Sequence, residues 1–192
     1  MSTAQLSLFG TDAIPAARSR CDYFILISPP QKIIAKVAAK KRSLNKTVPA
    51  GDENLRSIAH ISLYRMLVPE NDDLVLLKLR RALAHLYRFT VRLNGAELFM
   101  HGRSKVSLVL KIENPEPVRM IHAFIAREFR TSKSITPHLT IARNIPSRYA
   151  EKIRLQDFQL YDEFLCEKIT VLKKTDGQEY FSVLLDIPLR QY

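Results

Sequence analysis

From residue 21 onward, apolar and polar positions alternate in blocks that switch between strand and helix periods. "CDYFILIS" (21–28) is a short apolar run stopped by Pro29-Pro30, which predicts a buried strand. "QKIIAKVAAKKRSLNK" then sets Ile33, Ile34, Val37 and Ala38 near one face at helical spacing. "PENDDLVLLKLRRALAHLYRF" predicts a second helix, with Asn71, Asp72 and Asp73 supplying a cap and early negative charge. "TVRLNGAELFM" and "SKVSLVLKIE" alternate as strands. "PEPVRMIHAFIAREFR" predicts a third long helix with Val118, Ile121, Ile125 and Phe129 on one stripe, and "PSRYAEKIR" a short one. "EFLCEKITVLKK", "TDGQ" and "EYFSVLLDIPL" predict a closing hairpin with an Asp-Gly turn. Residues 1–20 show no sustained period and read as a flexible tail, leaving 21–192 as one folded unit.

Two of these segments carry one pattern. "HISLYR" (60–65) and "HLTIAR" (138–143) both spell His, aliphatic, hydroxyl, aliphatic, any residue, Arg. On a strand, positions i and i+2 share a face. His60 and Ser62 therefore project together, as do His138 and Thr140, while Ile61, Leu63, Leu139 and Ile141 point into a core. Both segments follow strand-and-helix stretches, so two similar lobes are expected, each donating one His strand. Two imidazoles and two hydroxyls facing one cleft suit phosphodiester chemistry. One imidazole takes a proton from the attacking oxygen, the other gives one to the leaving oxygen, and the hydroxyls hold the nonbridging oxygens. Arg65 and Arg143 lie an odd number of positions from their histidines, so strict alternation puts them on the other face. They reach the cleft only if the strand ends or bulges first; a strand-end ion pair is the alternative. Tyr64 shares the parity of His60 and is the aromatic best placed to stack on a base, ahead of Tyr23, Phe24 and Tyr180. His85, His101 and His122 have none of this context.

Composition narrows the partners. A formal charge of +11 favours phosphate-bearing ligands. Cys21 and Cys166 are the only cysteines, far apart, which argues against a disulfide framework and structural zinc. Neither a metal nor a cofactor is expected. No apolar run approaches a membrane span and no secretory signal is visible, so a cytoplasmic protein is expected. A monomer is expected as well.

The two His motifs resemble those of the two-histidine (2H) phosphoesterase superfamily, in particular its 2'-5' RNA ligase-like and cyclic phosphodiesterase branch. "YFILISPP" is similar to the family's opening strand and the hairpin to its closing one; the likeness runs from about residue 23 to 189. Ser62 stands where the family more often has Thr. The resemblance implies an α+β fold: a bilobal duplicated unit whose two antiparallel sheets, flanked by helices, form a V-shaped cleft. It implies metal-independent hydrolysis of 2',3'-cyclic phosphate ends of RNA or nucleotides to 2'-phosphates, with 2'-5' ligase or phosphodiesterase chemistry in some members. His138 would be the base, His60 the acid, Ser62 and Thr140 phosphate ligands, and Arg143 a further one; for Arg65 the cleft and the strand-end ion pair both stay open. The competing reading is a module that holds RNA ends or nucleotides without turnover. A separate feature is "QLSLF" (Gln5, Leu6, Ser7, Leu8, Phe9), which resembles the pentapeptide that docks bacterial proteins on the replication sliding clamp. It implies an adaptor role that would be independent of any hydrolysis.

Overall fold

The computed structural model describes residues 19–191; the QLSLF segment lies outside the described residues. Eight strands form one antiparallel sheet: β1 (Arg20–Ile27), β2 (Ile61–Pro69), β3 (Phe89–His101), β4 (Lys105–Ile112), β5 (His138–Pro146), β6 (Tyr161–Cys166), β7 (Lys168–Thr175) and β8 (Ser182–Pro188), in the order β6-β3-β4-β5-β2-β1-β7-β8. The α+β class matches the expectation, but the expected two sheets are one. The two halves are joined at the centre by a single pair, Ile61 opposite Leu139. Both side chains are fully buried, so the seam is fixed by core packing as well as by the backbone.

Four α-helices, α1 (Gln31–Asn45), α2 (Asp52–Arg56), α3 (Asp72–Leu83) and α4 (Glu116–Glu128), accompany two 3₁₀ turns, Ser147–Lys152 and Leu155–Phe158. Their burial explains their placement. Ile33, Val37 and Leu44 of α1, and Val118, Ile121 and Ile125 of α4, are fully buried or nearly so, one stripe per helix. The helices cross over. α1 follows β1 but packs on β5, and α4 follows β4 but packs on β2, with α3 against α4. Each half's helix thus backs the other half's His strand. Asn71 caps α3 as expected, its side-chain oxygen accepting from the Leu74 N–H at 3.1 Å.

The segment "EFLCEKITVLKK" departs from the expected single strand. It divides at Glu167 into β6, which pairs with β3 at one edge, and β7, which pairs with β1 in the other half. One run of sequence therefore ties both halves together. The Asp-Gly turn forms as read: Gly177 has φ 84°, and the Gln178 N–H donates to the Thr175 carbonyl at 3.1 Å.

Candidate active site

The pairing at the seam decides the site. With Ile61 opposite Leu139 in an antiparallel register, one step either way sets His60 toward Thr140 and Ser62 toward His138. In this register each motif's histidine is level with the other motif's hydroxyl residue. Ile61, Leu63, Leu139 and Ile141 are all buried on the helix-covered back. His60, His138 and Thr140 are half-buried and Ser62 exposed on the front.

The two imidazoles are tied identically. His60 Nδ1 lies 2.7 Å from the Ile58 carbonyl oxygen, and His138 Nδ1 lies 2.7 Å from the Thr136 carbonyl oxygen. A carbonyl only accepts, so each Nδ1 carries the proton of a neutral ring and each Nε2 is left for chemistry. Both imidazoles are also walled by a phenylalanine, edge to face: Phe24 lies 5.1 Å from His60 and Phe99 5.0 Å from His138, centroid to centroid. Burial strips water from the charged ring and holds both below the ordinary imidazole pKa. For His60, the Ile58 carbonyl opposes this, and the charges of Lys41, Arg143 and His138 add to it. For His138, the Thr136 carbonyl opposes the depression and His101 adds to it.

Bulges settle the parity of the arginines. Between β4 and β5, Val109 faces Thr140 and Leu108 faces Ala142, so Ile141 is an extra residue. Ile141 and Ala142 are both fully buried; a second register shift follows between Ala142 and Ile145, and Arg143 within it is exposed, its charge acting on His60. Its backbone is clamped by the buried Asn54: the Arg143 N–H donates to Asn54 Oδ1 at 2.9 Å, and Asn54 Nδ2 donates to the Arg143 carbonyl at 3.0 Å. Its guanidinium is 60% exposed and only 3.9 Å from Glu53, a weak pair that leaves it available.

The same device recurs in β2. Leu26 faces Ser62 and Ile25 faces Tyr64, which leaves Leu63 extra. Arg65 therefore comes forward and Tyr64 goes back. This corrects the expected position of Tyr64: its ring stacks on Phe129 at 5.5 Å and neighbours His122 at 6.4 Å, on the helix side. Arg65 is paired with Asp22, with Nε 2.9 Å from Oδ1 and Nη2 2.5 Å from Oδ2. Its guanidinium carbon lies 5.8 Å from the Phe24 centroid and 5.4 Å from that of Phe181. Both alternatives for Arg65 thus hold together: it is an ion pair, and it is on the front face.

Sequence reading missed Phe99, Phe181, Asn54 and Lys41. Phe99 had a faint signal, being aromatic at a polar-phase position of β3; Phe181, just before β8, Lys41 and Asn54 had none. Two surface hollows lie elsewhere, one lined by Arg88, Thr90, Arg92 and Asn114, the other by Arg119, His122 and residues 131–135. Neither brings the motif histidines and hydroxyls together.

A strand pair bearing two His-x-hydroxyl motifs at the centre of one antiparallel sheet defines a two-histidine phosphoesterase. The model of the 2'-5' RNA ligase superfamily matches residues 29–178, and the chain belongs to that superfamily. Escherichia coli LigT complexed with ATP shares the fold with TM-score 0.65 at 15% identity, over 90% of this chain and 99% of that one. TT0787 of Thermus thermophilus does so with TM-score 0.57 at 17% identity, over 88% and 98%. Kluyveromyces marxianus Usb1 with uridine monophosphate gives 0.50 at 14%, over 88% and 98%. No curated protein sequence matches the chain. The superfamily makes this a phosphoesterase or RNA ligase-like protein.

Proposed function

We propose that the protein hydrolyses 2',3'-cyclic phosphodiesters at RNA ends or on nucleotides to 2'-phosphates, without a metal ion. The observation that carries the reading is the matched pair of Nδ1–carbonyl ties, which leave one Nε2 per motif for proton transfer. Holding a ligand needs neither a matched acid and base nor a defined tautomer; proton transfer needs both. In the reaction, neutral His138 takes a proton from water as its oxygen attacks phosphorus. The P–O3' bond breaks, and protonated His60 gives its proton to O3'. Ser62, Thr140 and Arg143 hold the nonbridging oxygens. The nucleobase stacks beside Phe24 and Phe181, whose tilted rings lie 5.9 Å apart with the Arg65 guanidinium near both. Joining or cleaving 2'-5' linkages is the same chemistry with an RNA hydroxyl in place of water.

The test is turnover of the four nucleoside 2',3'-cyclic phosphates in EDTA by wild type, His60→Ala and His138→Ala. The expected result is 2'-phosphate product from wild type and a loss of about 10²–10⁴ in either variant. Retained binding of short cyclic-phosphate RNAs with no wild-type turnover would favour the non-catalytic module. The tail motif is proposed separately as a docking peptide for a sliding clamp. Deleting residues 1–12 should abolish clamp binding and leave turnover unchanged, and loss of turnover in that deletion would contradict it.

A further inference from the structure

Lys41 is a charge that the proposed reaction does not use. It sits on α1 at 3% exposure. Its Nζ donates to the Ser57 carbonyl and the Ser57 hydroxyl, both at 2.6 Å. Among the described residues no carboxylate pairs with it; the neighbouring cation, Arg143, takes Glu53 instead. An ammonium buried with only neutral acceptors is costly, and a methionine of similar length would fill the same space at less cost. The cost is visible in the group itself: burial, and then the charge of Arg143, push its pKa down to about 8.

The location supplies the reason. Ser57 precedes by one residue the carbonyl of Ile58 that fixes His60, and Lys41 lies within electrostatic range of both His60 and Arg143. We propose that Lys41 is a positioning residue of the active site, holding the 57–60 segment in place and contributing a buried positive charge whose missing counterion is the substrate phosphate. The inference deepens the phosphodiesterase reading and rests on it for the identity of the anion. Two tethers then converge on one phosphate from the strand connections: Lys41 through Ser57 to His60, and Asn54 to the backbone of Arg143. The charged and titratable groups facing His60 are Lys41 from α1 and Arg143 and His138 from β5. Removing Lys41 deletes one cation from that set, so the His60 imidazole should become easier to protonate while His138, whose neighbour is His101, should not change.

The experiment compares full-length wild type with Lys41→Met and Lys41→Gln, the second keeping a hydrogen-bond donor without the charge. Three quantities are read: kcat/KM on 2',3'-cyclic nucleotides, the NMR titration midpoints of His60 and His138, and Tm. Both variants should lose about tenfold or more in kcat/KM. Both should raise the His60 midpoint, leave that of His138 in place, and melt no lower than wild type. An unmoved His60 midpoint together with a lowered Tm would make Lys41 a structural tie and overturn the proposal. If Lys41→Met does not fold, Lys41→Gln decides by the same readings. If wild type turns over no substrate, the phosphodiesterase reading fails separately, and the titration of His60 still decides whether Lys41 acts on the site.

Discussion

Each motif histidine is defined by a contact two residues behind it. The carbonyls of Ile58 and Thr136 fix the tautomer, and the phenylalanine walls remove water from the charged form. Both imidazoles are therefore neutral when the site is empty at neutral pH. One must nevertheless be protonated to act as the acid, and a bound phosphate anion supplies the field that makes this favourable. It follows that kcat/KM, which reports the free enzyme, should peak on the acid side of neutrality, while the kcat optimum lies at higher pH. Coincident optima at or above pH 8 would contradict this. The two cysteines give a simpler prediction. Cys166 is buried and its thiol is pushed up to about 12, and burial raises that of Cys21 as well. Neither should react with a thiol reagent at pH 8 until the protein unfolds.

Among the elements, the strands and helices were largely legible because their apolar periods are strong. The periodicity also located His60, Ser62, His138 and Thr140 on one phase of two strands. What it could not contain was the pairing of β2 with β5, since residues 61 and 139 meet only through the long-range fold. Nor did it reveal the bulges. Strict alternation assigned Tyr64 to the front and both arginines to the back, and the extra residue Leu63 in β2 and the two register shifts in β5 that flank Ala142 undo that alternation. The neighbouring Ile141-Ala142 pair was the available hint, two apolar residues in succession where alternation asks for one. Asn54 holds the second bulged strand, so Asn54→Leu should weaken phosphate binding through misplacement of Arg143. The expected signature is a rise in KM larger than the fall in kcat. Loss of kcat at constant KM would assign Asn54 a different part. At the seam, Ile61→Ala should cost about 2–5 kcal/mol by denaturant melting, as a buried large-to-small change in a packed core.

The molecule as a whole carries +11, and its sheet is continuous across the two halves through one central pair of residues. Its acid sensitivity follows from the site and from the ion-paired carboxylates. His60 and His138 have depressed pKa values in the fold, so the unfolded chain binds more protons as pH falls below about 6.5, and stability drops. Burial pushes the Asp72 carboxyl up, but Lys173 and Tyr23 together hold it below its ordinary value, which adds a second loss below about pH 4. Tm should therefore decline in two stages from pH 7 to pH 3, the first largely absent in a His60→Phe, His138→Phe variant. No helix among the described residues is long and apolar enough to cross a membrane. The central claim is that both motifs address one phosphate, and an NMR titration of the His60 and His138 imidazoles with and without inorganic phosphate tests it most directly. The account predicts that one equivalent of phosphate raises both midpoints together, and that His60→Ala weakens the effect on His138. Midpoints that respond separately, or only one of them, would contradict it.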